Sequence, residues 1–267
     1  MKDSESGAQA ALSLRGPVAY IALSSPENFN ALTAPLLDDM NAALEACGAD
    51  PDVRAVVIRG EGRAFCAGGD VRAMGEGIAA GDARHLSRIV ERAAEAARRI
   101  RGLRKPVLAS VHGAAAGAGW SLALLCDFRV VSDDVRFVEA FAGLGLVPDM
   151  GGTLVLSRYL GLGRLTEFLM CGGTLSADEA LALGLVNRVV SREDLDAETA
   201  AFAERLAALP VEAVARTKSL LNQTLFADLG LCLEREVEYQ DALSRSDDYR
   251  EAVAAFLAKR PPVFGRK

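Results

Sequence analysis

Two glycine-rich segments have the residue types and spacing that point most directly to chemistry. AFCAGGD spans residues 64–70, and KPVLASVHGAAAGAG spans residues 105–119. In each segment a strand pattern passes through glycines to a helix start, where backbone N–H groups have no acceptor within the helix. Such N–H groups hold anions or developing negative charge. We therefore expect the N–H groups of Gly69 and Ala118 to converge as a two-donor oxyanion hole.

Two other kinds of site would use the second segment, but each lacks a partner residue. Gly113, Gly117 and Gly119 match the G-x-x-x-G-x-G spacing of a dinucleotide-binding turn. Dehydrogenases with this spacing need a Tyr-x-x-x-Lys pair, and no tyrosine of the chain is followed by lysine four residues later. The sequence around Ser121 approximates the nucleophile elbow of a serine hydrolase. In that fold the histidine follows the serine, whereas both histidines of this chain precede it.

Composition limits the classes of partner and location. The chain of 267 residues has 36 acidic and 30 basic residues, and this excess of negative charge argues against nucleic acid as a partner. Five cysteines without a C-x-x-C pair argue against a disulfide framework and a zinc site, so we expect no bound metal and a reducing, cytoplasmic location. Glycines, serines and His112 interrupt the uncharged run at 106–126, so we expect no membrane span.

Strand and helix patterns alternate through most of the chain, which predicts an α/β fold. The clearest strand patterns lie at 18–23, 53–59 and 107–111. From residue 197 onward only helical patterns follow, and their apolar faces must pack on the core or on a neighbouring subunit. One of these helices is predicted to start with a capping box at Asp248. The predicted division is a flexible tail in 1–10, a core that carries the site in 11–196, and a helical oligomerisation region in 197–267.

The sequence resembles the enoyl-CoA hydratase/isomerase (crotonase) family. Besides the two glycine-rich segments, the matching landmarks are GLVPDMGGT (145–153), TLSADEALALGLVNRVV (174–190) and FLAKRPPVF (256–264), in the family's order. The resemblance implies a spiral of ββα turns with a C-terminal α-helical trimerisation region, in a homotrimer or a hexamer of two trimers. It also implies a CoA thioester as substrate, no permanently bound cofactor, and Gly69 and Ala118 as oxyanion donors to the thioester carbonyl.

The resemblance also implies where CoA binds. Segment 64–71 would lie along the CoA, and basic residues of a neighbouring subunit would meet its adenine and phosphate end. The residues assigned to CoA in this way are Ala64, Cys66, Ala67, Gly68, Asp70, Val71, Lys259 and Arg260. The residue type of Asp70 also fits a helix cap, and Cys66, which has no evident activating base, is typical of a small buried residue.

Two departures from the family pattern bear on the reaction. Hydratases of the family use two glutamates to deliver water, and this chain has Ser121 and Phe141 at those positions. Water addition by the usual route should therefore be absent or very weak. Asp149 is a carboxylate at a position where some isomerases and dehalogenases of the family carry an aspartate. The resemblance is strongest to the epoxyphenylacetyl-CoA isomerases of phenylacetate degradation, down to DYREAVAAFLAKRPPVF (248–264).

Asp149 is the residue expected to carry the proton. Apolar neighbours would desolvate its carboxyl and raise its pKa toward the range where it can take and return a proton. Proton removal beside a thioester creates an enolate, which the two N–H donors would stabilise. The structural alternative is that Asp149 caps a helix near Thr153. Glu139 is a second candidate base. The predicted substrate pocket is lined by Trp120, Ser121, Phe141 and Met150.

The sequence thus predicts an acyl-CoA isomerase that acts on a double bond or an epoxide. Three alternatives stay open. The first is an enoyl-CoA hydratase-like lyase of fatty-acid or aromatic-acid catabolism. The second is a degenerate acyl-CoA-binding homologue that kept the fold after losing both glutamates. The third is a dehalogenase or thioesterase with Asp149 as nucleophile.

Overall fold

The computed structural model describes residues 9–265, so the predicted N-terminal tail falls outside it as far as residue 8. Nine strands and eleven α-helices lie within that range. The strands are β1 Ala10–Arg15, β2 Val18–Leu23, β3 Ala55–Gly60, β4 Val107–Val111, β5 Ala114–Ala116, β6 Phe128–Ser132, β7 Arg136–Glu139, β8 Gly173–Ser176 and β9 Arg188–Val190. The helices are α1 Ala34–Ala49, α2 Val71–Ala79, α3 His85–Gly102, α4 Ala118–Leu125, α5 Gly152–Leu156, α6 Leu162–Cys171, α7 Ala177–Ala182, α8 Leu195–Ala207, α9 Val211–Leu225, α10 Leu229–Leu243 and α11 Asp247–Leu257.

The main sheet has the strand order β1-β2-β3-β4-β6-β9. Its strands from β2 to β9 run parallel, and β1 pairs antiparallel with β2 at the edge. Every residue of β2 and β4 is buried, as expected for parallel strands that are covered on both faces. The strand patterns at 18–23 and 107–111 are confirmed, whereas the third strand begins at Ala55 rather than residue 53. The sequence patterns did not predict β1, which is mostly exposed.

A smaller sheet of β5, β7 and β8 lies beside the main one. The chain visits the two sheets in turn: β4 of the main sheet leads to β5 and then α4, and β6 leads to β7 and the helices that follow. The segment after β3 makes a similar excursion, because Cys66 forms a bridge with Ala115 of β5 before α2 begins. Three successive parts of the chain therefore pass from the main sheet to the small sheet and then to a helix, as in the predicted ββα spiral.

The C-terminal helices pack on the core of their own chain. Leu195, Phe202 and Leu206 of α8 cover one face of the main sheet, against residues such as Val57 and Leu108. The boundary predicted between residues 196 and 197 thus falls inside α8. Farther along, α10 contacts α3 and α11 contacts α2.

A cluster of buried charged side chains connects α9 to the core through ion pairs and hydrogen bonds. The Lys218 Nζ donates to the carbonyls of Ile100 and Lys105 and forms an ion pair of 2.7 Å with Asp127. The Asp127 carboxylate also pairs with Arg101 at 2.9 Å. Buried charges are tolerated when they are paired in this way.

One predicted helix start is wrong by two residues. The N-cap of α11 is Ser246, whose Oγ accepts from the Tyr249 N–H, and not Asp248.

No helix in residues 9–265 combines the length and the apolar character needed to span a bilayer.

Candidate active site

The two glycine-rich segments lie side by side. The Cys66 N–H donates to the Ala114 carbonyl at 3.1 Å, and the Ala116 N–H donates back to the Cys66 carbonyl at 3.0 Å. Gly68 has φ +85° and faces the second segment so closely that a Cβ there would lie 2.5 Å from the Ala116 oxygen. Only glycine satisfies both conditions, so this residue sets the distance between the segments.

Gly69 and Ala118 bring two free N–H groups to one cavity of about 320 Å³. Ala118 is the first residue of α4, so its N–H has no acceptor in the helix. Gly117 before it has φ +49° and ψ −122°, a conformation that glycine adopts readily, and this turns the chain into the helix. The bridge between Gly69 and Leu32 uses the Gly68 carbonyl, and no hydrogen bond within residues 9–265 takes the Gly69 N–H. This pair of donors can stabilise an oxyanion.

Asp149 lines the same cavity. It is 7% exposed, and its Oδ1 has no hydrogen-bond partner within the described part of the chain. Burial raises the pKa of this carboxyl well above its ordinary value, and the negative charges of Glu236 and Glu139 raise that pKa further. The cavity therefore combines two N–H donors with one carboxyl that holds its proton more strongly than an exposed aspartate.

The helix-capping alternative for Asp149 finds no support in the geometry. The helix that follows, α5, has Gly151 as its N-cap and no side-chain capping hydrogen bond. Instead, the backbone carbonyl of Asp149 accepts from the Gly152 N–H at 3.0 Å, and Met150 and Gly151 both have positive φ. The loop thus turns sharply just after Asp149.

Two side chains of α10 hold this loop from the C-terminal region. The Gln240 Nε2 donates to the Val147 carbonyl at 2.6 Å. The Gly151 N–H donates to both carboxyl oxygens of Glu236, at 3.1 and 3.0 Å. Gln240 and Glu236 are one helical turn apart, and their bonds fall on either side of Asp149. Burial raises the pKa of Glu236 to about 7.

Sequence patterns did not single out Glu236 or Gln240, although a signal exists. The buried positions of α10 are Leu229, Leu233, Glu236 and Gln240, at spacings of four, three and four residues. These spacings define one face of a helix, and two of its four positions are polar. Polar residues in an otherwise apolar stripe must be hydrogen-bonded in the folded chain.

Apart from Gln240, the rest of the cavity is apolar. Its walls come mainly from α3, from the loop after β7 and from α11, and include Leu86, Ile89, Val90, Leu144, Leu146 and Phe256. A neighbouring cavity of about 330 Å³ shares Gly69 with it and is also lined by Asp70 and by Arg88 and Arg92 of α3. The two cavities adjoin at Gly69, one of the two N–H donors.

The predicted substrate pocket agrees with the cavity only in part. Phe141 lines it, but Trp120, Ser121 and Met150 do not. The Trp120 ring packs against Phe137 in a tilted arrangement, with ring centroids 3.9 Å apart. Ser121 lies on α4, and its Oγ would be 2.6 Å from a Cβ added at Gly152. Met150 is 1% exposed in the core. These three residues therefore belong to the buried core and not to the lining of the cavity.

Glu139, the second candidate base, is buried but is absent from the residues that line the cavity. Its neighbours Val138 and Ala140 face the cavity, so strand alternation directs Glu139 away from it. Burial raises the pKa of Glu139 to about 7. Its side chain is close enough for its charge to act on Asp149, but it does not face the donors.

The residues assigned to CoA fall into three groups. Ala67 and Val71 line the main cavity, and Asp70 lines the neighbouring one while its carboxylate caps α2 by accepting from the N–H groups of Arg72 and Ala73. Ala64, Cys66 and Gly68 are buried in the bridge between the two segments, and burial raises the pKa of the Cys66 thiol to about 12. Lys259 and Arg260 line neither cavity, and Arg260 forms an ion pair with Glu251 of its own chain at 2.5 Å.

Comparisons with known proteins agree with this architecture. The family model for enoyl-CoA hydratase/isomerase matches residues 14–267. The chain is 34% identical to the trans-2-decenoyl-[acyl-carrier-protein] isomerase of Streptococcus mutans, over 94% of this chain and 95% of the relative. It is 38% identical to the 1,2-epoxyphenylacetyl-CoA isomerase of Escherichia coli, over 94% and 95%.

A solved structure of an enoyl-CoA hydratase from Mycobacterium avium subsp. paratuberculosis superposes with a TM-score of 0.88 at 32% identity. The superposition covers 97% of this chain and 99% of that one. The predicted crotonase-like α/β fold is thereby confirmed. The names of the relatives include both isomerases and hydratases, so they support an acyl-CoA enzyme without choosing between the two reactions. The chain belongs to the enoyl-CoA hydratase/isomerase family.

Proposed function

We propose that this protein is an acyl-CoA isomerase in which Asp149 moves a proton while Gly69 and Ala118 hold the thioester oxygen. The observation that carries this proposal is the meeting of one buried carboxyl and two free N–H groups on a single, mainly apolar cavity. Moving a double bond by a proton shift needs one base and one oxyanion site, and the cavity supplies both.

The reaction would proceed in two proton transfers. Ionised Asp149 removes a proton next to the thioester carbonyl, and the electron pair moves onto the carbonyl oxygen as an enolate. The N–H groups of Gly69 and Ala118 stabilise that charge where it develops. Protonated Asp149 then returns the proton at a different carbon, and the double bond has moved.

The environment of Asp149 suits this exchange. A carboxyl with an ordinary pKa would be a weak base toward a carbon acid, whereas burial and the nearby negative charges strengthen it. Hydration requires a second acid or base to deliver water, and Ser121 and Phe141 stand where hydratases of the family would have glutamates. These residues favour isomerisation over hydration.

The substrate class follows from the family and from two relatives. One relative is named as an isomerase of an enoyl chain on acyl-carrier protein, and another as an isomerase of an epoxide of phenylacetyl-CoA. We infer that the substrate is a 3-enoyl-CoA or a ring-epoxide of an arylacetyl-CoA. Its CoA part would lie along residues 64–71, and CoA would bind only as part of the substrate, not as a permanent cofactor. A CoA role for Arg260 requires that it leave Glu251.

Self-association is part of the proposal. Large apolar side chains stay exposed on and after the C-terminal helices, namely Leu220, Leu221, Leu225, Leu231, Phe256, Leu257, Val263 and Phe264. Such residues favour burial in a symmetric interface. A homotrimer, or a hexamer of two trimers, is the assembly that the resemblance implies. Sedimentation equilibrium of the purified protein would measure its mass.

The function is tested with two CoA thioesters. The protein is incubated with trans-3-hexenoyl-CoA and with crotonyl-CoA, and the products are separated by chromatography. We expect isomerisation of the first at least about 100-fold faster than hydration of the second. Rapid hydration would favour the lyase, and binding of both thioesters without turnover would favour a degenerate binder. A trapped mixed anhydride between the acyl group and Asp149, with release of the CoA thiol, would favour a hydrolytic route.

A further inference from the structure

We propose that Gln240 selects acyl groups that carry a hydrogen-bond donor, such as a hydroxyl. This inference rests on the proposed function, because it assigns an acyl group to the cavity that holds Asp149. Gln240 lies on α10, is 0% exposed and lines that cavity. It is a polar residue on a wall that is otherwise almost entirely apolar.

The orientation of the Gln240 amide is fixed by its neighbour. One end lies 2.6 Å from the Val147 carbonyl oxygen, which can only accept a hydrogen bond. That end must therefore be the NH₂ group, and the other end must be the carbonyl oxygen. A flipped amide would place two acceptors in contact.

The remaining oxygen is left without a partner. Gln240 Oε1 is buried and accepts no hydrogen bond from any residue in the described range 9–265. Asp149 Oδ1 is also buried without a hydrogen-bond partner in that range, and Asp149 lines the same cavity. A buried acceptor that folding leaves unpaired is unfavourable unless a ligand or water satisfies it.

The two acceptors have different roles in the proposed reaction. Asp149 exchanges a proton with the carbon skeleton, so its oxygen is used by the chemistry. Gln240 neither ionises nor transfers protons, so a fixed donor on the acyl group that reaches its oxygen would keep the same acceptor throughout the reaction. A site that hydrogen-bonds a substrate hydroxyl disfavours the analogue without it, because its buried acceptor is then left unpaired. Gln240 would thus be a specificity-determining residue.

The test compares the binding of pairs of unreactive thioesters. The two members of a pair differ only in that one carries a hydroxyl group where the other carries a methyl group. The pairs are 3-hydroxyphenylacetyl-CoA with 3-methylphenylacetyl-CoA, the corresponding 4-substituted pair, and 6-hydroxyhexanoyl-CoA with heptanoyl-CoA. Calorimetry gives a Kd for each with the wild type and with Gln240→Leu. The matched control is Tyr239→Phe, next to Gln240 on α10 but absent from the residues lining this cavity.

We expect the wild type and Tyr239→Phe to bind the hydroxyl member of at least one pair about tenfold more tightly than its methyl partner. In Gln240→Leu that preference should vanish or reverse. Loss of the Val147 hydrogen bond alone would weaken both members of a pair equally and leave their ratio unchanged, so the ratio separates recognition from loop support.

Two results would overturn the inference. One is equal Kd values of the wild type for the methyl and hydroxyl members of every pair. That result would mean that the Gln240 Oε1 accepts a hydrogen bond from bound water or from no group at all. The other is a hydroxyl preference that persists in Gln240→Leu. Failure of all six thioesters to bind would instead refute the proposed function, and with it this inference.

Discussion

The Gly151 N–H, two residues beyond Asp149, donates to both carboxyl oxygens of Glu236 on α10. This contact joins residues that are 85 positions apart in the chain. It fixes the end of the loop that carries the proposed base and places a second carboxyl where its charge acts on the first. The C-terminal region therefore contributes to the site of its own chain.

The charge of Glu236 should set part of the basicity of Asp149. Glu236→Gln keeps an oxygen that can accept from Gly151 but removes the negative charge that helps to raise the pKa of Asp149. The pKa of Asp149 should fall, so the ascending limb of kcat/KM against pH should move to lower pH. The control Glu238→Gln, on the exposed side of α10, should leave the limb in place. An unmoved limb in Glu236→Gln would show that this charge does not act on the base.

Removal of the Glu236 side chain should have a larger effect on rate than removal of its charge. Glu236→Ala leaves the Gly151 N–H without its acceptor and frees the loop after Asp149. Small displacements of a catalytic group reduce rates strongly, so kcat should fall by about 10- to 100-fold. Steady-state kinetics on trans-3-hexenoyl-CoA gives the value, and Glu236→Gln should retain more of the activity. Equal rates for the Ala variant and the wild type would contradict a positioning role.

Gly68 should tolerate no side chain. Gly68→Ala places a Cβ 2.5 Å from the Ala116 oxygen at a residue with φ +85°. The free energy of unfolding should drop by about 1–3 kcal/mol from backbone strain alone, and activity should fall because Gly69 and Ala118 separate. Urea denaturation measures the first effect. Gly163→Ala is a matched control, since nothing lies within 4 Å of its new Cβ.

Glu139 should make stability depend on pH. Its pKa is raised from 4.5 to about 7 by burial. Between these values the unfolded chain loses the proton while the folded chain keeps it, so this residue's contribution to stability declines as pH rises. Glu139→Gln removes that decline. The free energy of unfolding of the variant minus that of the wild type should therefore increase by about 1–3 kcal/mol between pH 4 and pH 8. Urea unfolding at both pH values measures this, with exposed Glu234→Gln as control. A constant difference would contradict the raised pKa.

Local sequence patterns predicted the two proposed oxyanion donors, whereas the proposed base was predicted from the family resemblance. Gly69 and Ala118 could be found because glycines between a strand and a helix leave N–H groups unpaired, a property of a few consecutive residues. Asp149 was found through its family position, and the structure supplies its burial and its cavity.

The supporting residues could not be found in the same way. Glu236 and Gln240 contact a loop 85 to 93 positions earlier in the chain, and no local pattern encodes that contact. Trp120 and Ser121 were predicted to line the pocket, but successive residues of a helix point in different directions, and both side chains are buried in the core. Strand β1 was missed because only one of its residues is buried.

Proton exchange with solvent tests the central claim most directly. Isomerisation of trans-3-hexenoyl-CoA in D₂O is followed by proton NMR, with wild type and Asp149→Asn, after calorimetry has shown that both bind a saturated thioester. We expect the wild type to form the 2-enoyl product with deuterium incorporated, because Asp149 can exchange its proton while the enolate is held. Asp149→Asn should slow isomerisation and exchange together by about 100-fold or more. If Asp149→Asn isomerises and exchanges at the wild-type rate, Asp149 is not the base and the proposed mechanism is wrong.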